Sequence, residues 1–427
     1  MLVKFKMPIK RIPTYFLLFA FFASMASAGD LFQNVRLVWT TNPQSEAMII
    51  WESDEPSAED YVEVTAPDGE VVRFSATKSV AYTNKSIPKK KKKRKKKNKG
   101  VKVEIPEEAP EKVLEKAPDW FYRHVSITGL EPSTSYQLTA FSDGEKSRIF
   151  TFITAPDDKR PFKLIYVGDS RTDVEVAVKI SKQLAQMASE DPEILAVLHG
   201  GDYANNPVLE DWKPWLAAWD QTTGKDGKLL PIIPVVGNHE RMNSSPLYGE
   251  AYGFPGKNEE FLYSCKLSPH FRIAVLNSEI PATGVQTDFL KDTLERYKQE
   301  QVQWQIAAFH RPVYPAVKKA GALVRLIPMF EEYSIDLVLE SDGHCIKRTV
   351  PIKADKLDPN GVVYLGEGGF GAPQRTPKEK WYLESPGFAS KGAHSMILYV
   401  KEDMIDYYTI NSDGDILDRC EFLPKER

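Results

Sequence analysis

Cysteine is scarce in this chain, with three residues in 427, namely Cys265, Cys345 and Cys420. Three cysteines can form one disulfide and leave one thiol over. The chain therefore lacks the disulfide framework that holds many small secreted domains together. Its fold must rest on a hydrophobic core, which a chain of this length can bury. The same length predicts two or three domains.

Long hydrophobic runs are also missing after the first 28 residues. Within those 28, four basic residues precede an apolar run from Tyr15 to Phe22, and the small residues Ala26-Ser27-Ala28 follow it. This order is typical of a signal peptide that is cleaved before Gly29. The apolar run is short for a membrane span. We therefore predict a signal peptide over residues 1–28 and a secreted or periplasmic protein.

The small net charge of −3 hides a local excess of positive charge. Between Lys89 and Lys99, ten of the eleven residues are Lys or Arg, and a glutamate-rich stretch follows. Like charges repel and stay solvated, which predicts a disordered insertion near residues 84–117. The run has no interleaved aromatic residues, so we expect no nucleic-acid partner. An anionic polymer of the cell surface is the alternative partner for these charges.

Short strands separated by turn residues dominate the region before residue 157. Residues 35–40 and 47–51 alternate apolar and polar positions around the turn residues Asn42-Pro43. Similar short strands follow up to residue 152. This pattern predicts an all-β sandwich over residues 29–156 that the basic insertion interrupts, with the two tryptophans of the first strands in its core.

From residue 157 onward, strands alternate with segments of helical spacing. Residues 163–167 and 194–198 are predicted strands, and the segment between them, 174–187, has apolar residues at helical spacing. Further strands and a helix follow in the same alternation. This organisation predicts an α/β domain over residues 157–427.

Five apolar runs of this second domain end in the same kinds of residue. They lead into Gly168-Asp169, Gly201-Asp202, Gly237-Asn238-His239-Glu240, His310-Arg311-Pro312 and Asp342-Gly343-His344. Any one of these sequences alone is more typical of a plain turn. Five of them together predict a site, because open α/β sheets bind ligands beyond the carboxyl ends of their strands. Carboxylates are costly to bury alone, so this site is expected to be paired or metal-bound.

The residue types at these strand ends favour particular metals. Asp, Asn and His are ligands for borderline and hard ions such as Zn, Fe and Mn. Their number exceeds what one tetrahedral ion needs, so we expect two ions roughly 3.5–4 Å apart that share one carboxylate. Such a pair lowers the pKa of bound water and binds the oxygens of an in-line displacement. This is chemistry for the hydrolysis of phosphate esters.

The order of these motifs resembles that of the calcineurin-like metallophosphoesterases. The preceding sandwich, with residues 129–136 similar to a fibronectin-type-III signature, and the strings 310–314 and 347–352 resemble purple acid phosphatases and their bacterial relatives in particular. The resemblance covers most of the mature chain. It implies the fold class α/β, as a four-layer α/β/β/α metallophosphatase sandwich behind a fibronectin-III-like, all-β domain.

The resemblance also implies a set of metal ligands. Asp169 would bind the first metal and Asp202 would bridge both metals. Asn238 and His310 would bind the second. The ions would be two divalent or trivalent metals, Fe, Mn or Zn, and the substrate would be a phosphate ester.

Three further residues near these ligands receive separate interpretations. His239 matches a family residue that contacts the substrate phosphate and can protonate the leaving oxygen. Arg171 lies two residues past Asp169 and is either a second catalytic residue, paired with a phosphate oxygen, or an ordinary supporting arginine. His199 is interpreted as a structural histidine under the site.

The sequence departs from the family pattern in two places. The family's tyrosine ligand, three residues after the bridging aspartate, is Asn205 here, so we expect no tyrosinate-iron colour. In the last motif the family has His-X-His. One alignment puts Ile346 at the second histidine and loses a ligand. The preferred alignment, anchored on Arg348-Thr349, puts Asp342 at the first histidine and His344 at the second, and the added charge would favour Mg, Mn or Fe over Zn.

These expectations combine into one functional hypothesis. The chain is predicted to be an exported phosphatase that hydrolyses phosphate monoesters with a hydroxide activated by two metal ions. The alternatives are a phosphodiesterase or nucleotidase with the same site, and a non-catalytic cell-surface binding protein with a degenerate site. The sequence does not separate them, because substrate choice depends on loops such as residues 241–257.

Overall fold

The computed structural model of this chain describes residues 31–76, 120–240, 246–254 and 260–426, together with the backbone of residues 78–82. The predicted signal peptide, the basic insertion and part of the 241–257 loop lie outside these residues. Among the described residues, no helix combines the length and the apolar character needed to cross a membrane. All three cysteines are free thiols.

Nine strands form the first part of the chain. They are β1 (Gln33–Val38), β2 (Ala47–Ser53), β3 (Asp60–Thr65), β4 (Val71–Ser75), β5 (Lys78–Tyr82), β6 (Trp120–Ile127), β7 (Ser135–Ser142), β8 (Glu145–Lys146) and β9 (Phe150–Ile153). Strands β1, β2, β6 and β5 pair side by side in one sheet, and β4, β3, β7, β8 and β9 form the other. Trp39 and Trp51 are buried in the core with Val62 and Leu138. The predicted all-β sandwich is therefore present.

The second part of the chain alternates strands and helices. Its elements are β10 (Phe162–Val167), α1 (Val174–Glu190), β11 (Ile194–His199), α2 (Leu209–Asp220), β12 (Ile232–Pro234), α3 (Leu247–Tyr252), β13 (Tyr263–Ser268), β14 (Phe271–Val275), α4 (Val285–Gln299), β15 (Trp304–Ala308), α5 (Ile327–Glu332), β16 (Leu337–Leu339), β17 (Ile346–Arg348), β18 (Ile352–Lys353), β19 (Lys356–Leu357), β20 (Val363–Gly366), β21 (Phe388–Ser390), β22 (Ser395–Val400), β23 (Ile405–Ile410) and β24 (Ile416–Phe422). Short 3-10 helices lie at Ala322–Leu326 and Trp381–Leu383.

Two mixed sheets form the middle layers of this second part. The first has a parallel centre of β10, β11 and β12 and an antiparallel edge of β22, β23 and β24. The second has a parallel centre of β14, β15, β16 and β20, flanked by β13 on one side and by β17 and β21 on the other. Their inner faces share one hydrophobic core, which includes Leu198 and Ile233 from the first sheet and Ile273 and Ile306 from the second.

Helices cover the outer faces of both sheets. Helix α1 begins at Asp173, whose side chain accepts a hydrogen bond from the Val176 N–H, and it buries Ala177, Ile180 and Leu184 against the first sheet. The three tryptophans of α2, Trp212, Trp215 and Trp219, are buried in the same core, as their near-helical spacing predicts. Helix α4 covers the second sheet. The result is the four-layer α/β/β/α arrangement that the family resemblance implies.

One feature of the sheets is not readable from the sequence. Strand β1 of the sandwich pairs in parallel with β12, where Val38 lies opposite Ile232 and the Trp39 N–H donates to the Ile232 carbonyl at 2.9 Å. The first sheet therefore runs through ten strands, from β24 to β5. Backbone hydrogen bonds thus connect the sandwich to the strand that leads into Asn238 and His239.

A buried triad of charged residues fixes the loops beyond the second sheet. The Lys347 ammonium contacts the Glu340 carboxylate and lies 3.1 Å from Glu367 Oε1, and all three side chains are fully buried. Each carboxylate also accepts a backbone N–H, from Val313 at 2.6 Å and from Ala316 at 2.7 Å respectively. Because the charges are paired and hydrogen-bonded, the triad can hold these loops in one position.

Candidate metal centre

The predicted site residues follow the carboxyl ends of parallel strands in both sheets. Asp169 follows β10, Asp202 follows β11, Asn238 and His239 follow β12, His310 follows β15, and Asp342 and His344 follow β16. The two sheets pack face to face, so these ends lie at a common edge. The structure brings all of these residues together there.

Four of these residues adopt a backbone conformation that is unusual for their type. The φ angles are 56° at Asp169, 59° at Asp202, 66° at Asp342 and 61° at His344. Left-handed backbone at residues other than glycine costs about 1–3 kcal/mol each and clusters at functional sites. The sharp turns aim each side chain back over the edge of the sheets.

A buried cluster of side chains that could hold a cation, here called the central pocket, lies at the centre of this edge. Asp169, Asp202, His310 and Asp342 each offer one ligand atom, and these atoms all lie within 4.8 Å of one another. Nε2 of His310 is 3.2 Å from Oδ1 of Asp202 and 3.6 Å from Oδ1 of Asp342. All four residues are buried, so these charges need a partner.

The side-chain amide of Asn238 lies beside these four residues. Its Oδ1 lies 3.2 Å from Nε2 of His310 and 3.3 Å from Oδ1 of Asp342. Without a cation the opposite amide orientation fits, because the NH2 group then donates to both atoms and the oxygen accepts the His239 N–H at 3.3 Å. With a cation in the pocket, the amide oxygen would be the atom that faces it. Two carboxylate oxygens, an amide oxygen and an imidazole nitrogen are a donor set for borderline or hard divalent ions. The residues present therefore fit a metal ion.

The two histidines at the pocket are oriented by backbone carbonyls. Nδ1 of His310 donates to the Gly200 carbonyl at 2.8 Å, and Nδ1 of His344 donates to the Pro373 carbonyl at 3.0 Å. Each ring therefore turns Nε2 toward the site, where Nε2 of His310 faces Asp202 and Nε2 of His344 faces Asp169 and Arg171. Metal-binding histidines are typically held in this way.

Asp169 lies between the central pocket and His344. Its Oδ2 accepts the Asp342 N–H at 2.8 Å, and its Oδ1 lies 3.2 Å from Nε2 of His344. Among the described residues, no hydrogen-bond donor reaches this buried Oδ1. The glycine-rich segment after β20 packs directly against the other oxygen of Asp169, since a Cβ on Gly368 would lie 1.9 Å from Oδ2. Asp169 is thus free to give one oxygen to a cation.

Arg171 reaches across the site to two of the predicted ligands. Its Nε is 3.2 Å from Oδ2 of Asp202, and its Nη2 is 3.2 Å from Nε2 of His344. Its Nη1 lies 3.4 Å from Oδ1 of Asn205, which also accepts the Thr172 hydroxyl at 2.8 Å. The side chain is 13% exposed. Arg171 is therefore part of the site rather than a surface residue.

His239 and His199 occupy different depths. Nδ1 of His239 lies 2.5 Å from the Asn205 carbonyl, and its Nε2 lies 3.6 Å from Oδ2 of Asp202 at the mouth of the pocket. His199 is fully buried below, with Nε2 2.9 Å from Ser170 Oγ and its ring stacked on Tyr203. Burial lowers the pKa of His199 to about 3, which keeps its ring neutral.

Three further basic residues surround Asp342. The Lys318 ammonium contacts Oδ1 of Asp342, Nη1 of Arg311 lies 3.9 Å from its Oδ2, and Nη1 of Arg375 donates to its carbonyl at 3.2 Å. Burial acts to raise the pKa of Asp342, but His310 and Lys318 outweigh it and hold that pKa below its ordinary value. Arg311 stands inside a family string, but no motif marks Lys318 or Arg375.

Glu240 joins the loops that carry the ligands. Its Oε2 accepts the N–H groups of Asp202 at 2.9 Å and Gly237 at 2.8 Å, and its Oε1 accepts the Tyr203 N–H at 2.9 Å. Burial, followed by the charge of Asp202, raises the pKa of Glu240 to about 8. The backbone at Gly237 lies close to the Asp202 side chain, since a Cβ on Gly237 would lie 2.4 Å from Oδ1 of Asp202. Glu240 therefore positions Asp202 without facing the pocket.

Two family models match the chain. Residues 172–345 match the calcineurin-like phosphoesterase model, and residues 32–154 match the purple acid phosphatase N-terminal domain. The first match includes every predicted site residue except Asp169 and Arg171, which lie immediately before it. The chain is a homologue of the purple acid phosphatases. The family resemblance is therefore confirmed, together with the α/β fold class and the N-terminal all-β domain that it implies.

Curated relatives support the homology. The chain is 24% identical over 287 residues to purple acid phosphatase 23 of Arabidopsis thaliana, which covers 58% of this chain and 62% of that protein. It is 22% identical over 286 residues to purple acid phosphatase 15 of the same plant, covering 58% of this chain and 53% of that protein. The homologue thus matches only part of the length of these relatives.

Solved structures share the fold at low identity. The purple acid phosphatase PPD1 from yellow lupin seeds superposes with a TM-score of 0.75 and 17% identity, covering 92% of this chain and 74% of that one. The structure of PhoD gives a TM-score of 0.59 and 11% identity, covering 92% and 90%. Both extend over the sandwich as well as the four-layer part.

The role of Glu240 leads to a test of the metal centre. We expect Glu240→Gln to weaken Mn²⁺ binding by about 10- to 100-fold, because the amide nitrogen would face a backbone N–H and release the Asp202 loop. Isothermal titration calorimetry measures the affinity. The matched control is the exposed Glu384, whose change to Gln should leave the affinity unchanged. Equal affinities in the two variants would contradict the positioning role.

Proposed function

We propose that this homologue is an exported, metal-dependent phosphatase that hydrolyses phosphate monoesters. The observation that carries the proposal is the buried pocket of carboxylate, amide and imidazole ligands with a ring of basic side chains at its mouth. The phosphoesterase and purple acid phosphatase domain matches support the reaction class.

A metal ion in the pocket would be held by Asp202, Asn238, His310 and Asp342, with one oxygen of Asp169. When bound, such an ion lowers the pKa of a coordinated water and withdraws charge from the phosphoryl oxygens. The protein groups keep this pocket dry and fixed, since the four acidic and imidazole ligands are at most 2% exposed. Preorganised charges of this kind are worth more in a buried site than in water.

His239 is placed to act on the leaving group. Its Nδ1 is held by the Asn205 carbonyl, which points Nε2 toward the mouth of the pocket beside Oδ2 of Asp202. In the imidazolium form both nitrogens carry protons, so Nε2 can donate one to the departing oxygen while Nδ1 keeps its hydrogen bond.

The charge around the pocket favours monoesters over diesters. A phosphate monoester is largely a dianion at neutral pH, whereas a diester carries one negative charge. Four basic side chains surround the ligands, namely Arg171, Arg311, Lys318 and Arg375. Guanidinium groups bind phosphate oxygens in a bidentate manner, and a dianion gains more from this field than a monoanion.

The first 28 residues support export. Their basic start, short apolar run and Ala26-Ser27-Ala28 ending match a cleaved signal peptide. N-terminal sequencing of the protein secreted by its host, or released from the periplasm, tests the proposal. A mature chain that starts at Gly29 is expected, and an intact Met1 would contradict it.

The monoesterase proposal predicts how one ligand affects activity. We expect the metal-loaded protein to hydrolyse p-nitrophenyl phosphate faster than bis(p-nitrophenyl) phosphate. Asp202→Ala should lower the first activity by about 100- to 1000-fold, because the bound metal supplies several kcal/mol of transition-state stabilisation. Metal analysis by mass spectrometry should show a parallel loss of metal.

The exposed Asp403 provides the matched control, since Asp403→Ala removes the same charge away from the site. Its activity and metal content should equal those of the parent. Equal activity in the parent and in Asp202→Ala would refute the enzyme proposal. A metal-free, inactive parent would support a binding protein, and faster turnover of the diester would support a phosphodiesterase.

The proposed role of His239 predicts a dependence on the leaving group. We expect His239→Asn to lower the hydrolysis of β-glycerophosphate by about 100- to 10,000-fold, because an alkoxide needs a proton to depart. The loss with p-nitrophenyl phosphate should be much smaller, since p-nitrophenolate leaves without one. Measuring kcat/KM for both substrates separates these effects. An equal loss for both would show that His239 binds phosphate without acting as the acid.

A further inference from the structure

Asp202 divides its two carboxylate oxygens between different kinds of partner. Its Oδ1 faces Nε2 of His310 at 3.2 Å, in the central pocket. Its Oδ2 faces Nε of Arg171, also at 3.2 Å. A carboxylate can bridge two metal ions through one oxygen alone or through one oxygen for each ion. Here the second oxygen is directed at a guanidinium.

His344 is engaged by the same guanidinium. Its Nδ1 donates to the Pro373 carbonyl, so Nε2 has a single lone pair to offer. Nη2 of Arg171 lies 3.2 Å from that nitrogen and is a donor that cannot be deprotonated. The lone pair can bind either the guanidinium or a metal ion, but not both. The geometry has Arg171 on it.

Asn205 completes the set of groups around Arg171. Its Oδ1 lies 3.4 Å from Nη1 of Arg171 and accepts the Thr172 hydroxyl. Asn205 stands where the resembling family has a tyrosine ligand. Three atoms on the first-metal side of Asp202 therefore point at one guanidinium. They are Oδ2 of Asp202, Nε2 of His344 and Oδ1 of Asn205.

We propose that the Arg171 guanidinium replaces the first metal ion, so that the site holds one cation instead of two. The single cation lies in the central pocket, on Asp202, Asn238, His310 and Asp342, with one oxygen of Asp169. A metal ion on the other side would need to approach Nε2 of His344 to about 2.0–2.1 Å. The guanidinium stands in that direction, and its positive charge repels a second cation.

This proposal rests on the metal centre of the proposed function and specifies its composition. It also assigns a role to Arg171 that differs from simple phosphate binding. The guanidinium supplies a fixed positive charge beside the Asp202 carboxylate.

The test is the amount of metal bound, measured on the full-length protein without substrate. The protein is freed of metal by a chelator, titrated with Mn²⁺ in a calorimeter and, after dialysis, analysed by mass spectrometry. We expect the parent to bind one Mn²⁺ per chain. Arg171→Ala frees Asp202 Oδ2 and His344 Nε2, and it should bind two. Arg171→Lys keeps a positively charged side chain between Asp202 and His344, and this variant should bind one Mn²⁺.

The matched control is Arg375→Ala, which removes one nearby positive charge without freeing a ligand atom. This variant should still bind one Mn²⁺. If it binds two, the second Mn²⁺ in Arg171→Ala would be explained by the loss of positive charge alone, and the proposal would be overturned. Two equivalents in the parent, or one in a folded Arg171→Ala variant, would also overturn it while leaving the phosphatase proposal intact. No metal in the parent would instead refute the metal centre itself. If Arg171→Ala does not fold, the parent's stoichiometry still decides the outcome.

Discussion

The face-to-face packing of two sheets with a common edge is the constraint on which this structure depends. The five residues proposed to hold the central cation follow the ends of five separate strands, and consecutive ones are separated by tens of residues along the chain. Only the shared core between the sheets, which includes Leu198, Ile233 and Ile306, brings these ends within reach of one ion. The core is therefore as much a part of the site as the ligands, because any slip between the sheets would separate Asp202 from His310.

The ligands that the sequence predicts are those with a local signal. A short apolar run that ends in Gly-Asp or Gly-Asn-His identifies a strand and the polar residue that follows it. Both the run and the polar residue can be recognised from neighbouring positions in the sequence. The α/β alternation and the early β-sandwich were predictable for the same reason, since period and turn residues are local properties. The prediction of Asp342 as a ligand depended instead on the alignment anchored on Arg348-Thr349, and the structure places Asp342 beside Asp169, Asp202 and His310.

What the sequence could not supply are contacts made across the fold. The Arg171 guanidinium reaches Asp202, 31 positions away, and His344, 173 positions away. Both contacts depend on the direction of a long side chain at the edge of two sheets. Lys318 lies 24 positions before Asp342 with no motif around it. The pairing of β1 with β12 likewise joins two segments that the sequence assigns to different domains.

The charges at the site explain why these departures occur together. Three carboxylates, Asp169, Asp202 and Asp342, face a region with little access to water, so their charge must be balanced locally. One divalent ion and the Arg171 guanidinium are sufficient for that balance. Replacing a neutral imidazole by Asp342 adds a negative charge, and Lys318 lies against it with a positive one. The Arg311 guanidinium nearby is itself paired with Glu279 at 2.6 Å, so the charges around Asp342 are balanced by neighbouring groups within the site.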